Sequence, residues 1–325
     1  MVNLIEIKEV SEKVKENISK VMIGKDDVVD LLLVSLISSG HVLLEDVPGT
    51  GKTLLAKSLA KSIDSTFKRV QFTPDLLPTD VSGINFFNQK KGEFEFRPGP
   101  IFSNLVLADE INRATPRTQS ILLECMEERQ VTIEGVTRKL ERPFLVIATQ
   151  NPVENQGTFP LPEAQLDRFL LKVNLGYPSP EEGIEILKRF KENNPIENLQ
   201  PIVSEEEVIL AQNHYSKVYV SDEILAYIMD IVEATRNNSQ VKLGVSPRGS
   251  QALLKSVQAY AAIKGRTYVI PDDVKRMVKP VLSHRLVLSQ SMRMNPNEAN
   301  LILDRLLEEV TVPSEETLEK ELQKR

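Results

Sequence analysis

Residues 46–53 read "DVPGTGKT", a run whose residue types suit one task, the holding of nucleotide phosphates. Gly49 and Gly51 let the backbone curl and approach phosphate oxygens closely, and the N–H groups around Lys52 are placed to point at an anion. The stretch assigned to the phosphates is Val47, Pro48, Gly49, Thr50, Gly51, Lys52, Thr53 and Leu54. Lys52 would reach the outer phosphates of ATP or ADP, and Thr53 would offer its hydroxyl to Mg²⁺. The usual pattern, G-x-x-x-x-G-K-[ST], fails at its first position, where this chain has Asp46. Asp46 precedes the part of the loop that must wrap the phosphates. A carboxylate aimed inward would repel them, so it is expected to point away, toward backbone or a basic partner.

Such a site needs a second source of carboxylates, and "NLVLADE" supplies Asp109 and Glu110 after an apolar run. Asp109 is expected in the Mg²⁺ shell and Glu110 as the general base for an attacking water. "FLVIATQNP" ends near Asn151, an amide placed to hold that water beside the terminal phosphate. "PEAQLDRF" brings Asp167 and Arg168 to the end of a short helix, and Arg168 gains a role if it meets a neighbouring subunit's γ-phosphate. In "GVSPRGSQ", Ser246 reads as an N-cap and Pro247 as the first helical residue, which presents Arg248 at a helix start.

These residues must be positioned by elements that the pattern also specifies. Up to about residue 178, short apolar runs ("HVLLE", "LVLAD", "FLVIAT", "LLKVNL") alternate with helical patterns, which argues for an α/β fold with a parallel sheet covered by helices on both faces. Beyond it the apolar residues recur at helical spacing, with no strand-like run of comparable strength. The expected division is an α/β core over 1–178 and a small all-α domain over 179–325. Two alternating segments, residues 84–97 around Lys90, Lys91 and Gly92, and 130–140 around Glu134 and Gly135, read as β-hairpins inserted into the core.

Composition excludes several classes. Forty Lys plus Arg against 46 Asp plus Glu give a net charge of −6, which offers no global footprint for nucleic acid or an anionic membrane. The single Cys125 sits beside Ile121, Leu122 and Met126 at helical spacing and reads as a buried thiol. His41, His214 and His284 have no metal-ligand spacing. The first twenty residues intersperse acids and lysines, unlike a signal peptide or a membrane span, so the expectation is a cytoplasmic protein without membrane insertion.

The quoted segments together resemble the MoxR family of AAA+ ATPases. "LLEDVPGTGKT" is similar to that family's Walker A segment, "LADEINRATPRTQSILLECMEERQVT" to its Walker B and following helix, and "NPVENQGTFPLPEAQLDRF" to its first sensor and finger region. The resemblance implies a P-loop NTPase fold with inserted hairpins and a lid. It also implies Asn151 as first sensor, Arg168 as arginine finger, Arg248 as second sensor and Gly24 as the turn near the adenine. An acid at the position of Asp46 then marks the family. The family's implied activity is ATP hydrolysis in a homo-oligomeric ring, hexameric by analogy, acting with a von Willebrand factor A domain protein on a client complex. Arg113 and Arg117, just past Glu110, are further candidates for reaching across a subunit interface. Two other readings are a DNA-dependent motor, on Arg138, Lys139 and Arg142 near the second hairpin, and a nucleotide-gated scaffold with little hydrolysis. The acidic total disfavours the first, and the Asp109–Glu110 pair the second.

Overall fold

The computed structural model describes residues 4–151, 157–191, 194–292 and 297–313. Two helices, α1 (Leu4–Ser19) and α2 (Asp26–Ile37), come first. The α/β part follows as β1 (Val42–Glu45), α3 (Lys52–Ser62), β2 (Phe67–Gln71), α4 (Pro78–Ser82), β3 (Gly83–Asn88), β4 (Glu93–Pro98), β5 (Leu105–Asp109), α5 (Pro116–Glu128), β6 (Gln130–Ile133), β7 (Val136–Lys139), β8 (Leu145–Gln150), α6 (Glu163–Leu166) and β9 (Leu171–Val173). After it come α7 (Pro180–Phe190), α8 (Glu205–His214), α9 (Asp222–Asn237), β10 (Val241–Leu243), α10 (Pro247–Ile263), α11 (Pro271–Leu282), β11 (Val287–Leu288) and α12 (Glu298–Glu309).

Five strands pair in parallel in the order β2-β5-β8-β1-β9. The central strands are apolar along their length because helices cover both faces. Alternation then sends their side chains into two cores: Leu105, Leu107, Leu145 and Ile147 pack with α2 and α3, while Val106, Ala108, Val146 and Ala148 pack with Leu122, Cys125 and Met126 of α5. Cys125 is fully buried, and burial pushes its thiol up to about 12, which leaves it inert as a nucleophile. Both expected hairpins form, β3 with β4 and β6 with β7. The second turns through Glu134 and Gly135, both at positive φ, as a two-residue hairpin loop requires.

The structure adds two elements that periodicity misses. β2, "FKRVQ", is an edge strand in which Val70 alone is buried, so no apolar run announces it. The helical region also holds a short antiparallel ladder, Val241 opposite Leu288 and Leu243 opposite Val287, too brief to leave a pattern. Ser246 caps α10 as expected, accepting from the Gly249 N–H at 3.2 Å, and Pro247 opens the helix.

α1 and α2 tie the sheet to the later helices. Val10, Val14 and Ile18 of α1 and Leu32 and Leu36 of α2 share one core with Leu253, Val257 and Ala261 of α10. The nearly buried carboxylate of Asp30 accepts from Lys15 at 3.0 Å and from Lys264 at 2.7 Å, so α1, α2 and the end of α10 meet at one ion cluster.

Two buried histidines also act as ties. His41 Nδ1 accepts from the Val146 N–H at 2.9 Å, which leaves Nε2 to donate to the Met126 carbonyl at 3.1 Å. His284 Nε2 lies 3.0 Å from the Phe169 carbonyl. Burial, reinforced by the neighbouring Arg129 and Arg285, holds both well below the ordinary value of 6.5. A depressed imidazole is neutral in the fold and protonated in the unfolded chain below the unfolded pKa, so the unfolded state binds more protons and acidification favours it. Stability should therefore fall as the pH drops below about 6.5, with a slope of at most about 1.4 kcal/mol per pH unit from each histidine. Urea unfolding at a series of pH values checks this, and His41→Gln should flatten the slope by roughly half.

Candidate active site

The loop after β1 turns on two glycines. Gly49 has φ +85° and Gly51 φ +91°, a conformation that side-chain-bearing residues rarely adopt. α3 begins at Lys52, so the first N–H groups of that helix face the loop's interior. Lys52 Nζ is held by the carbonyls of Asp46 (3.0 Å) and Val47 (2.8 Å). Pro48, Gly49, Gly51, Lys52, Thr53 and Leu54 form one wall of a cleft of about 420 Å³, a size suited to a small ligand.

The other wall comes from the C-terminal ends of β2, β5 and β8: Arg69 and Gln71, Asp109 and Glu110, Thr149 to Asn151. Asp109, Glu110 and Asn151 thus meet the loop, as their positions after strands imply. The hydroxyl of Thr149 orders the turn after β5, donating to Asp109 Oδ1 at 2.6 Å and accepting from the Glu110 N–H at 2.9 Å. Glu110 takes φ +56°, an uncommon conformation for a residue other than glycine. Its Oε2 accepts from Gln71 Nε2 (2.7 Å) and from Arg113 Nη1 (3.1 Å). Arg113 therefore engages its own chain's Glu110. Residues 152–156, which follow Asn151 in the expected sensor region, lie outside the described residues.

Asp46 faces away from the cleft. Its Oδ1 accepts from the Val47 N–H, and its Oδ2 accepts from the N–H groups of Leu175 and Gly176, each at 2.9 Å. Lys25 Nζ donates to the carbonyls of the same two residues, at 2.8 and 3.2 Å. The segment after β9 is thus gripped through donors by Asp46 and through acceptors by Lys25. Gly24, at φ +66°, lies under the start of α7, where the Glu182 carboxyl fills the space that a Cβ would take. Gly24 is not among the residues lining the cleft, but nearby Met22 is in contact range of the loop, its methyl 3.4 Å from the place a Cβ on Gly51 would occupy.

Arg168 and Arg248 are elsewhere. With Arg129, Lys255 and Arg285 they line a second cleft of about 360 Å³, which shares no lining residue with the first. Arg168 Nη1 donates to the Leu123 carbonyl at 2.7 Å, and Arg248 pairs with Glu127 and lies 3.9 Å from Asp167. Arg285, almost fully buried, donates from Nε to Asp167 Oδ1 at 2.6 Å and from Nη2 to the Phe169 carbonyl at 2.8 Å, which fixes the turn around Arg168 against the helical part. Burial pulls the Arg285 guanidinium down from its ordinary value while Asp167 pushes it back up. Of the basic residues near the second hairpin, Arg138 stacks over Phe96 at 3.9 Å and Arg142 donates to Gln212, so two of the three are engaged internally.

Comparison with known proteins identifies the family and the fold. The ATPase family associated with various cellular activities (AAA) matches residues 41–171, and the AAA lid domain matches residues 233–306. The chain is 42% identical over 305 residues to chaperone MoxR1 of Mycobacterium tuberculosis (strain ATCC 25618 / H37Rv), across 91% of this chain and 80% of that protein. It belongs to the MoxR family of AAA+ ATPases. Protein MoxR of Paracoccus denitrificans is 34% identical, over 83% of this chain and 86% of its own. A Bacillus subtilis (strain 168) protein of uncharacterised role, YeaC, is 52% identical, over 93% and 94% respectively. A crystal structure of a candidate ATPase from Cytophaga hutchinsonii ATCC 33406 superposes with a TM-score of 0.89 at 40% identity, covering 96% of this chain and 97% of that one.

Within this MoxR-family site, sequence reading passes over Arg69, Gln71 and Thr149. The first two ride on the unannounced edge strand, and Thr149 is a small polar residue near the end of a buried one. The signal available in retrospect is register: Gln71 stands opposite Asp109, so the end of β2 must border the acids.

The Asp46 arrangement yields a two-part expectation. Asp46→Gly should lower unfolding free energy by about 1 kcal/mol, because it removes three hydrogen bonds from part-buried and exposed N–H groups. Affinity for an ATP analogue should change by less than about tenfold, or 1.4 kcal/mol, because the lost carboxylate faces away from the cleft. Chemical denaturation and fluorescence titration read the two effects separately.

Proposed function

We propose that this chain is a Mg²⁺-dependent ATPase whose hydrolysis sites are completed between subunits of a homo-oligomeric, hexameric ring. The observation that supports this most directly is the separation of the two clefts: the loop and the acids share one, Arg168 and Arg248 share the other, and no residue lines both. A phosphoryl-transfer site needs cations at the outer phosphate as well as a loop. One subunit's arginine cleft applied to its neighbour's loop would supply them.

The first cleft has the donor set for a nucleoside triphosphate with a divalent cation: a helix N-terminus, Lys52, the Thr53 hydroxyl and the Asp109 carboxylate. When bound, Mg²⁺ would neutralise charge that develops on the phosphate oxygens. Lys52 would leave the Asp46 and Val47 carbonyls for those oxygens. Glu110 would accept a proton from the attacking water, and Asn151 would hold that water beside the phosphate. From the adjoining subunit, Arg168 would stabilise the outer phosphate, and Arg248, at the start of a long helix, would report its presence to the lid.

We divide the chain into a nucleotide-binding core (1–178) and a lid (179–325), with α1 and α2 carrying the lid's movement because they share its core. The hairpins would pass that movement to a client protein complex, in the manner of a maturation chaperone, with a von Willebrand factor A domain protein as partner. They are suited to act together: Asn85 donates to Glu134 at 2.8 Å across them, in addition to the Arg138–Phe96 stack. A cytoplasmic location fits this reading, and no described helix is long and apolar enough to cross a membrane.

Glu110→Gln should retain ATP binding and lose turnover by about 100-fold or more. Arg168→Ala should bind ATP normally and lose turnover by about 1,000-fold. Mixing the two inactive proteins provides the sharper test. Rings that place an intact Glu110 beside an intact Arg168 should recover part of the activity, whereas completion within one subunit would leave every mixture inactive.

A further inference from the structure

β2 carries two residues at the cleft that the cycle above does not use. Arg69 donates to Asp109 Oδ2 from Nε at 3.1 Å and from Nη2 at 2.6 Å, while Thr149 occupies Oδ1. Both oxygens of the acid assigned to the metal are thus engaged by protein donors. The same Nη2 donates to Gln71 Oε1 at 2.9 Å, and Gln71 passes the contact on to Glu110 through its Nε2 at 2.7 Å. One hydrogen-bonded chain therefore runs from Asp109 through Arg69 and Gln71 to Glu110.

A guanidinium and a divalent cation compete for one carboxylate oxygen, since like charges a few ångströms apart repel and each requires the same lone pairs. The two partners differ in freedom. The Arg69 side chain is 47% exposed on an edge strand, whereas that of Asp109 is 13% exposed and pinned by Thr149. Arg69 is the group able to leave. Its departure would remove the donor that orients Gln71, one of the two groups that donate to Glu110.

We propose that Arg69 is a placeholder for the metal at Asp109, and that its displacement also frees Gln71, one of the two donors on Glu110, while Arg113 keeps the other. This rests on the assignment of Asp109 and Glu110 made above. Arg69 is then a positioning residue: it keeps Asp109 charge-balanced and correctly turned until the metal is in place. Nucleotide without metal would leave the Arg69–Asp109 contact intact.

The test uses the full-length protein and a fluorescent ADP analogue, with affinity measured in EDTA and in saturating Mg²⁺. The ratio of the two affinities reports the metal's contribution. Arg69→Ala should raise this ratio about tenfold over wild type, since no guanidinium has to be displaced. Arg69→Lys, which keeps the charge but loses the two-pronged contact, should fall between them. Gln71→Ala should stay within about threefold of the wild-type ratio, because Arg69 still holds Asp109. An unchanged or lower ratio in Arg69→Ala would overturn the proposal, as would loss of metal-free binding, which would make Arg69 a nucleotide contact. A rise in Gln71→Ala equal to that in Arg69→Ala would overturn the division of roles. Lys52→Ala is the separate control. If it binds the analogue as wild type does, the nucleotide-site assignment itself fails, whatever the ratios show.

Discussion

The placement of β8 between β1 and β5 is the constraint on which the site depends. The phosphate loop follows β1 and the acids follow β5, and in the sheet they are held one strand apart by β8, whose Ile147 stands opposite both Val42 and Leu107. Parallel pairing sends all three chain ends to the same edge, where no strand continues and the turn residues can face a ligand. The register is held by burial, since a slip of one residue would exchange the side chains that pack on α3 for those that pack on α5. Thr149 converts that register into chemistry: being near the end of β8, its hydroxyl reaches both Asp109 and the Glu110 backbone.

Around this edge, polar groups are satisfied in ways that serve positioning as well as stability. Asp46 is held by backbone donors from the segment after β9, and Lys25 by backbone acceptors from the same residues. The glycine loop is therefore fastened to the chain entering α7. Arg285 does the comparable work at the second cleft, buried among carbonyls and Asp167 so that Arg168 issues from a fixed turn. In both places a charged side chain, half-buried at Asp46 and buried at Arg285, sets the course of backbone through several hydrogen bonds.

Most of the α/β order was legible because buried parallel strands are written as continuous apolar runs, and "LVLAD" and "FLVIAT" are of that kind. The hairpins were legible from alternation and turn residues. β2 and the β10–β11 ladder were not: the first exposes most of its side chains and the second contributes too few pairs to show a period. The same property that hid β2 hid the residues it contributes. A strand at the edge needs little apolar surface, which leaves its side chains available to the cleft.

By itself the sequence determined the loop, its glycines, the two acids and the family, because each depends on local chemistry within a short run of residues. It also determined that Asp46 need not be glycine, from its position before the turn. Only the tertiary structure decided what Asp46 holds, that Thr149, Arg69 and Gln71 surround the acids, and that Arg168 and Arg248 gather in a cleft apart from the loop. Those facts depend on contacts between residues dozens of positions or more apart in the chain, set by strand order and helix packing. No local pattern records them.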